Sequence, residues 1–218
     1  MAEKYYNYIA IEGNIGSGKT SLAKKITEEF NANLILERFE DNSFLPKFYK
    51  NPDQYAFPLE MSFLADRYQQ LKEELTKQDL FKSFTIADYF IDKSLIISRK
   101  NLQNDEFSLY SRLFNIINSS LKKPELIVYL YNSVDHLLSN IKTRGRDYEK
   151  EIKESYLDMI QTGYFEYFKQ NKELRIVIIN TETIDFVNNP EDYAQIKSHI
   201  FKNYKPGIHR INSIYNID

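Results

Sequence analysis

The chain contains no cysteine. That excludes disulfides, thiolate catalysis and cysteine-based zinc sites together. It also suits a reducing compartment, so a cytoplasmic location is expected. Glycine and proline are scarce, six of each in 218 residues, and no linker, repeat or low-complexity tract divides the chain. Neither charge is in excess: 29 Lys and Arg stand against 31 Asp and Glu, a net charge of -2. A binder of nucleic-acid polymers normally carries a basic field, so no such partner is expected. No apolar run approaches the ~18 residues of a membrane span, and the short apolar run in MAEKYYNYIAIEG is no signal peptide, so no membrane partner is expected. What is present, 42% hydrophobic and 28% charged residues, is the composition of a soluble globular chain long enough to bury a full core.

Five short apolar runs read as buried strands: YIAIE (8–12), NLILERF (33–39), FTIADYF (84–90), LIVYLY (126–131) and LRIVIIN (174–180). Segments with helical spacing lie between them. Leu22, Ile26 and Phe30 share one face of residues 21–30; Leu59, Phe63, Leu64, Tyr68, Leu71 and Leu75 do so in residues 59–75. Near-continuous apolar strands alternating with helices predict an α/β fold, a five-stranded parallel sheet flanked by helices on both faces. Residues 1–200 are read as one domain. Residues 201–218, broken by Pro206-Gly207, are read as a C-terminal tail, loose or forming a small added element.

Between the first strand and the first helix stands GNIGSGKT: Gly13, Asn14, Ile15, Gly16, Ser17, Gly18, Lys19 and Thr20. This is the G-x-x-x-x-G-K-[ST] phosphate loop in its required strand–loop–helix setting. Its glycines let the backbone wrap a polyphosphate, and the helix N-terminus turns its N–H groups and positive dipole end toward it. Lys19 is expected on the outer phosphates and Thr20 on magnesium. A GTPase is disfavoured. The guanine-reading look-alike Thr76-Lys77-Gln78-Asp79 precedes the third strand inside a charged helix, and no D-x-x-G follows a strand. Asp88, within the third strand, could serve a motor-type ATPase.

Residues on the other side of the sheet crevice argue for a phosphoryl acceptor. Glu37 closes the second strand, so it faces the space of the phosphate loop. A carboxylate there can take the proton of an attacking hydroxyl; a solvated strand-end charge is the bland alternative. Glu60 and Arg67, seven apart, share one face of an aromatic-rich helix. They form either a structural ion pair in plain core or the polar edge of a slot for a flat ligand. Arg144 and Arg146 flank Gly145, with Glu149 close behind. That pattern suits a hinged lid neutralising charge over a triphosphate, against a plain surface cluster.

Together these blocks, YIAIEGNIGSGKTSLAKKI, ERFEDNSFLPKFY, YAFPLEMSFLADRYQQL, IADYFIDKSLI, TRGRDYEKEI and DFVNNPEDY, resemble the deoxynucleoside kinases, in particular their bacterial deoxyguanosine and deoxyadenosine kinases, from about Tyr8 to about Ile200. The resemblance implies a P-loop kinase fold, usually homodimeric. It implies transfer of the γ-phosphoryl of ATP, with Mg2+, to the 5′-hydroxyl of a deoxynucleoside in nucleotide salvage. It makes Glu37 the general base and Lys19, Arg144 and Arg146 the catalytic cations. Tyr49 and Glu149 take the sugar 3′-hydroxyl, Arg67 lies beside base and carboxylate, and Asp88 lies near magnesium with Thr20. Phe39 and Leu59 join the acceptor pocket, and Asp185 and Phe186 join the ATP site. Two departures stand out. The family's E/D-R-S motif reads Asp88-Tyr89-Phe90 here, without its arginine, and Asn140 replaces a further lid-side arginine.

The base-gripping position, often Gln in relatives, is Glu60. Guanine offers two adjacent donors, N1–H and N2–H2, which a carboxylate can accept. Adenine would oppose its N1 lone pair to the carboxylate, costing about 1–3 kcal/mol. If Glu60 is ionised and aimed at the base, deoxyguanosine is expected to be preferred. A deoxyadenosine or broad-specificity enzyme is the alternative. Further removed are a thymidylate-type monophosphate kinase, disfavoured by Glu37, Glu40 and Asp41 around a lone Arg38, and a non-catalytic nucleotide-binding module.

Overall fold

The computed structural model describes residues 6–38, 42–77 and 81–213. Phe39, Glu40 and Asp41 of the acceptor side and Gln78 and Asp79 of the guanine look-alike lie outside them. The sheet is parallel throughout, in the order β2-β3-β1-β4-β5-β6. Its strands are β1 (Tyr8–Gly13), β2 (Asn33–Ile35), β3 (Thr85–Ala87), β4 (Leu126–Tyr131), β5 (Arg175–Asn180) and β6 (Gly207–Ile211). The expected five strands are therefore six. β6 arises from the C-terminal segment and pairs with β5, Ile176 opposite Ile208. It is a half-buried edge strand with the sequence GIHRI, and a search for fully apolar runs passes over such strands.

Strand alternation sorts the core onto two faces. Ile9 and Ile11 of β1, Val128 of β4 and Val177 of β5 pack with Leu22, Ala23 and Ile26 of helix α1 (Lys19–Phe30) and Ile196 and Ile200 of a helix at Pro190–Ile200. Their neighbours Ala10, Ile127, Tyr129 and Ile176 face Ile160, Tyr164 and Phe168 of a helix at Glu154–Gln170. Leu22 and Ile26 are fully buried, so truncating either to Ala costs about 2–5 kcal/mol.

Helices α2 (Leu45–Lys50) and α3 (Pro52–Thr76) rise beside β2 and β3. α3 starts seven residues earlier than the expected Leu59 and runs through Pro58. Proline there lies near the helix start and removes a single intrahelical bond, which the packing of Ala56 and Leu59 into the core offsets. Next come α4 (Lys93–Asn101), α5 (Asn104–Asn118) and α6 (Val134–Arg144). A 3-10 turn (Asp147–Glu149) leads into α7 (Glu154–Gln170), and α8 (Pro190–Ile200) precedes β6. Ser133 caps α6 by accepting from the backbone of His136, and Asn189 caps α8 with Pro190 behind it. Among the described residues no helix is long and apolar enough to cross a membrane.

Candidate active site

The phosphate loop leaves the carboxyl end of β1. Gly18 takes a left-handed φ of 88° to start α1, and a Cβ there would stand 2.7 Å from the Phe186 ring. Only glycine meets both demands. The Lys19 ammonium reaches back 2.8 Å to the Asn14 carbonyl, while the Asn14 amide is pinned to the Leu157 carbonyl of α7. Beneath the loop, buried Glu12 accepts from the backbone of Gly13 and Phe90 and from the Tyr164 hydroxyl. It thereby ties β1, the segment after β3 and α7 together. Burial lowers the Lys19 pKa to about 8, with the Lys93 ammonium adding to the fall.

Asp88, just beyond β3, joins the two halves. One carboxylate oxygen accepts from the Thr20 hydroxyl at 2.5 Å, and the other from the Glu37 backbone N–H at 2.7 Å. β2 ends at Ile35, so Glu37 sits in the following loop rather than on the strand as expected. That loop is held by Gln70, which donates to the Leu36 carbonyl and accepts from Tyr89.

Glu37 carries a cation on each oxygen. Arg67 grips Oε1 through Nε at 2.8 Å and Nη2 at 2.7 Å, and Lys93 donates to Oε2 at 2.5 Å. Burial alone would raise this carboxyl. The ammonium and guanidinium outweigh it and hold the pKa down to about 2. Arg67 also donates to Ser94 Oγ at 2.8 Å and lies over the Phe63 ring. The Glu60–Arg67 ion pair considered from the sequence does not form. Glu60 takes Asn101 Nδ2 at 2.7 Å on Oε1, and its Oε2 is buried with no hydrogen-bond partner among the described residues. Burial pushes the Glu60 pKa up to about 7, against the pull of Arg67 and the Asn101 amide. Burial therefore works against the full ionisation at neutral pH assumed from the sequence.

Glu37, Tyr49, Leu59, Glu60, Arg67, Asp88 and Glu149 all line one cavity with Ile15, Gly16, Lys19, Thr20, Arg144 and Arg146. α6 ends at Gly145 in a left-handed cap, and the chain turns so that Arg144 binds Glu149 through two nitrogens, at 3.0 and 2.6 Å. Arg146 stands 3.5 Å from the same carboxylate. Asn140, where the family resemblance led us to expect a further arginine, donates to the Gly16 carbonyl. A second cavity joins Gly16, Ser17 and Gly18 to Asn132, His136, Asn140 and the 181–187 segment, including Asp185 and Phe186. The reading from sequence missed Lys93, Ser94, Asn101 and Tyr156, whose hydroxyl accepts from Asn101 at 3.3 Å beside the same cavity. For Lys93 a signal existed: the arginine lost from Asp88-Tyr89-Phe90 invited a search for another cation nearby.

A phosphate-loop motif, a buried carboxylate held by two cations and a pair of arginines beside the same cavity, all on a parallel sheet, define a nucleotide-dependent phosphotransferase. The deoxynucleoside kinase profile matches residues 9–204, and the chain belongs to that family. It is 37% identical over 199 residues to deoxyguanosine kinase of Bacillus subtilis (strain 168), covering 88% of this chain and 95% of the relative. It is 32% identical to a deoxyadenosine kinase of Dictyostelium discoideum, covering 87% and 77%. The fold matches that of deoxyadenosine kinase from M. mycoides with bound dATP at a TM-score of 0.75 and 22% identity, covering 89% and 99%. The chain is an ATP-dependent deoxynucleoside kinase.

Proposed function

We propose that this kinase phosphorylates purine deoxynucleosides with deoxyguanosine preferred, serving nucleotide salvage in the cytoplasm. The observation that carries the preference is the buried, unpartnered Oε2 of Glu60 in the acceptor cavity. A buried acceptor without a donor costs about 1–3 kcal/mol, and the N1–H of an oxopurine supplies that donor. Adenine presents a lone pair at the same place. The resemblance of 37% to a deoxyguanosine kinase supports the same reading.

In this reading Glu37 is the general base for the 5′-hydroxyl, and Tyr49 and Glu149 hold the sugar. Leu59 lines the acceptor pocket; Phe39, read from the sequence as a further member, lies outside the described residues. Arg67 fixes Glu37. Gly13 to Thr20 cradle the phosphates, Asp185 and Phe186 border the donor base, and Arg144 and Arg146 swing from Glu149 toward the triphosphate. Thr20 and Asp88 offer hard oxygen donors side by side, the chemistry magnesium takes when phosphates and waters complete its shell. Bound there, the ion neutralises charge on the phosphates. A homodimer accompanies the proposal. Leu109 and Ile116, 43% and 72% exposed on one side of α5, offer apolar surface to a second copy, and sedimentation velocity checks it.

A Mg-ATP assay over four deoxynucleosides, guanosine, adenosine and dTMP tests the function. Deoxyguanosine should have the highest kcat/KM. Deoxyadenosine first would overturn the Glu60 argument and leave the family untouched.

A further inference from the structure

We propose, resting on the reading of Glu37 as general base, that Lys93 is a further catalytic cation, which holds Oε2 of Glu37 and moves onto the transferring phosphoryl group during the reaction. The two cations on Glu37 are held very differently. All three Arg67 nitrogens are engaged, Nε and Nη2 on Oε1 of Glu37 and Nη1 on Ser94, and the guanidinium is packed on Phe63. Moving it would break two hydrogen bonds and an ion-pair contact. Lys93 is the first residue of α4 and makes one contact with Glu37, at 2.5 Å, from a flexible four-carbon stem whose ammonium can swing. Both are largely buried, with side-chain exposures of 5% and 11%.

An incoming hydroxyl needs one oxygen of Glu37 as proton acceptor. Oε1 is locked by Arg67, so Oε2 is the oxygen that can open, and Lys93 is the group that must yield it. The ammonium has somewhere to go. Lys93 lines the same cavity as Lys19, Thr20 and Asp88, and Asp88 links Thr20 to the Glu37 backbone. In the step itself the 5′-oxygen bonds to the γ-phosphorus. The bond from that phosphorus to the bridging oxygen breaks, with its electron pair leaving on ADP, and the hydroxyl proton passes to Oε2 of Glu37. Lys93 gives up Oε2 as the hydroxyl arrives, and the neutral Glu37 formed by proton transfer does not draw it back. The ammonium then pairs with the equatorial oxygens, where charge is concentrated. In this chain Lys93 fills the need left by the missing arginine at Tyr89.

Lys93→Met, Lys93→Gln and Lys93→Arg test this on the full chain, through kcat, KM and calorimetric binding of ADP with aluminium fluoride and deoxynucleoside, a mimic of the transferring group. For Lys93→Met, kcat should fall about 10²-fold, with KM for both substrates within about threefold. Mimic binding should weaken in parallel while nucleoside binding alone persists. Lys93→Arg should recover most of kcat. A kcat for Lys93→Met within about threefold of wild type, a loss carried only by KM, or unchanged mimic binding would overturn the proposal. If Lys93→Met does not fold, Gln and Arg decide: Arg at least about tenfold more active than Gln supports the cation, and equal activities overturn it.

Discussion

On the proposed donor side the protein presents mainly backbone. In the reading proposed above, Gly13 to Thr20 and the 181–187 segment offer amides, a helix N-terminus and the Lys19 ammonium, with the tip of the buried Phe186 ring set against Gly18. On the proposed acceptor side it presents buried side chains. Glu37, Glu60, Arg67 and Glu149 are each at most about a tenth exposed, and they come from three separate stretches of the chain. Backbone recognition suits a polyphosphate, whose shape is the same whatever is done with it. Side-chain recognition suits an acceptor that must be distinguished from close analogues. Damage to the donor side's backbone cradle should therefore fall mainly on KM for ATP, and damage to the acceptor side or to the catalytic cations on turnover, the acceptor side also setting the choice of nucleoside.

The sharpest way to break that contrast is Glu37→Gln. Turnover should fall about 10²–10⁴-fold, while the nucleoside dissociation constant stays within a few-fold; turnover near wild type would remove Glu37 from the base role. Arg144→Ala comes next. It should lower kcat about 10²–10³-fold with a smaller change in KM, and loss confined to KM would make the lid a binding device only. Phe186→Ala probes the donor side. It should raise KM for ATP about tenfold with kcat nearly unchanged, since it borders Gly18 and the donor cavity; an equal fall in kcat would erase the distinction between the halves. The smallest effect is on stability. The Glu60 carboxyl is raised to about 7 in the folded chain from an ordinary 4.5, so its contribution to stability is present below 4.5 and lost as pH rises through 7. At pH 8 Glu60→Gln should raise Tm by roughly 3 °C or more, about 1 kcal/mol being worth 2–4 °C at this size. A lower Tm would show a paired, ionised Glu60.

The same contrast governs what was legible in the sequence. The phosphate loop could be read in full because backbone binding constrains spacing and glycine placement within eight consecutive residues. The central strands β1, β4 and β5 were legible because burial on both faces demands apolar runs. β6 was not, since an edge strand keeps polar residues such as His209 and Arg210. β2 and β3 came out shorter than their apolar runs because the chain leaves the sheet at Ile35 and Ala87 to aim Glu37 and Asp88. Of the acceptor side, single residues drew notice, but their partners did not. Glu37 meets Lys93 56 positions away, and Glu60 meets Asn101 41 positions away. No local pattern records such meetings.

The most direct measurement of the central claim is the ratio of kcat/KM for deoxyguanosine over deoxyadenosine, in wild type and Glu60→Gln, between pH 6 and 8.5. The account predicts a wild-type ratio that rises as pH passes about 7 and Glu60 ionises, and a Glu60→Gln ratio that is lower, independent of pH and shifted toward deoxyadenosine. A ratio that is flat with pH and unchanged by Glu60→Gln would show that the base is read elsewhere in the pocket.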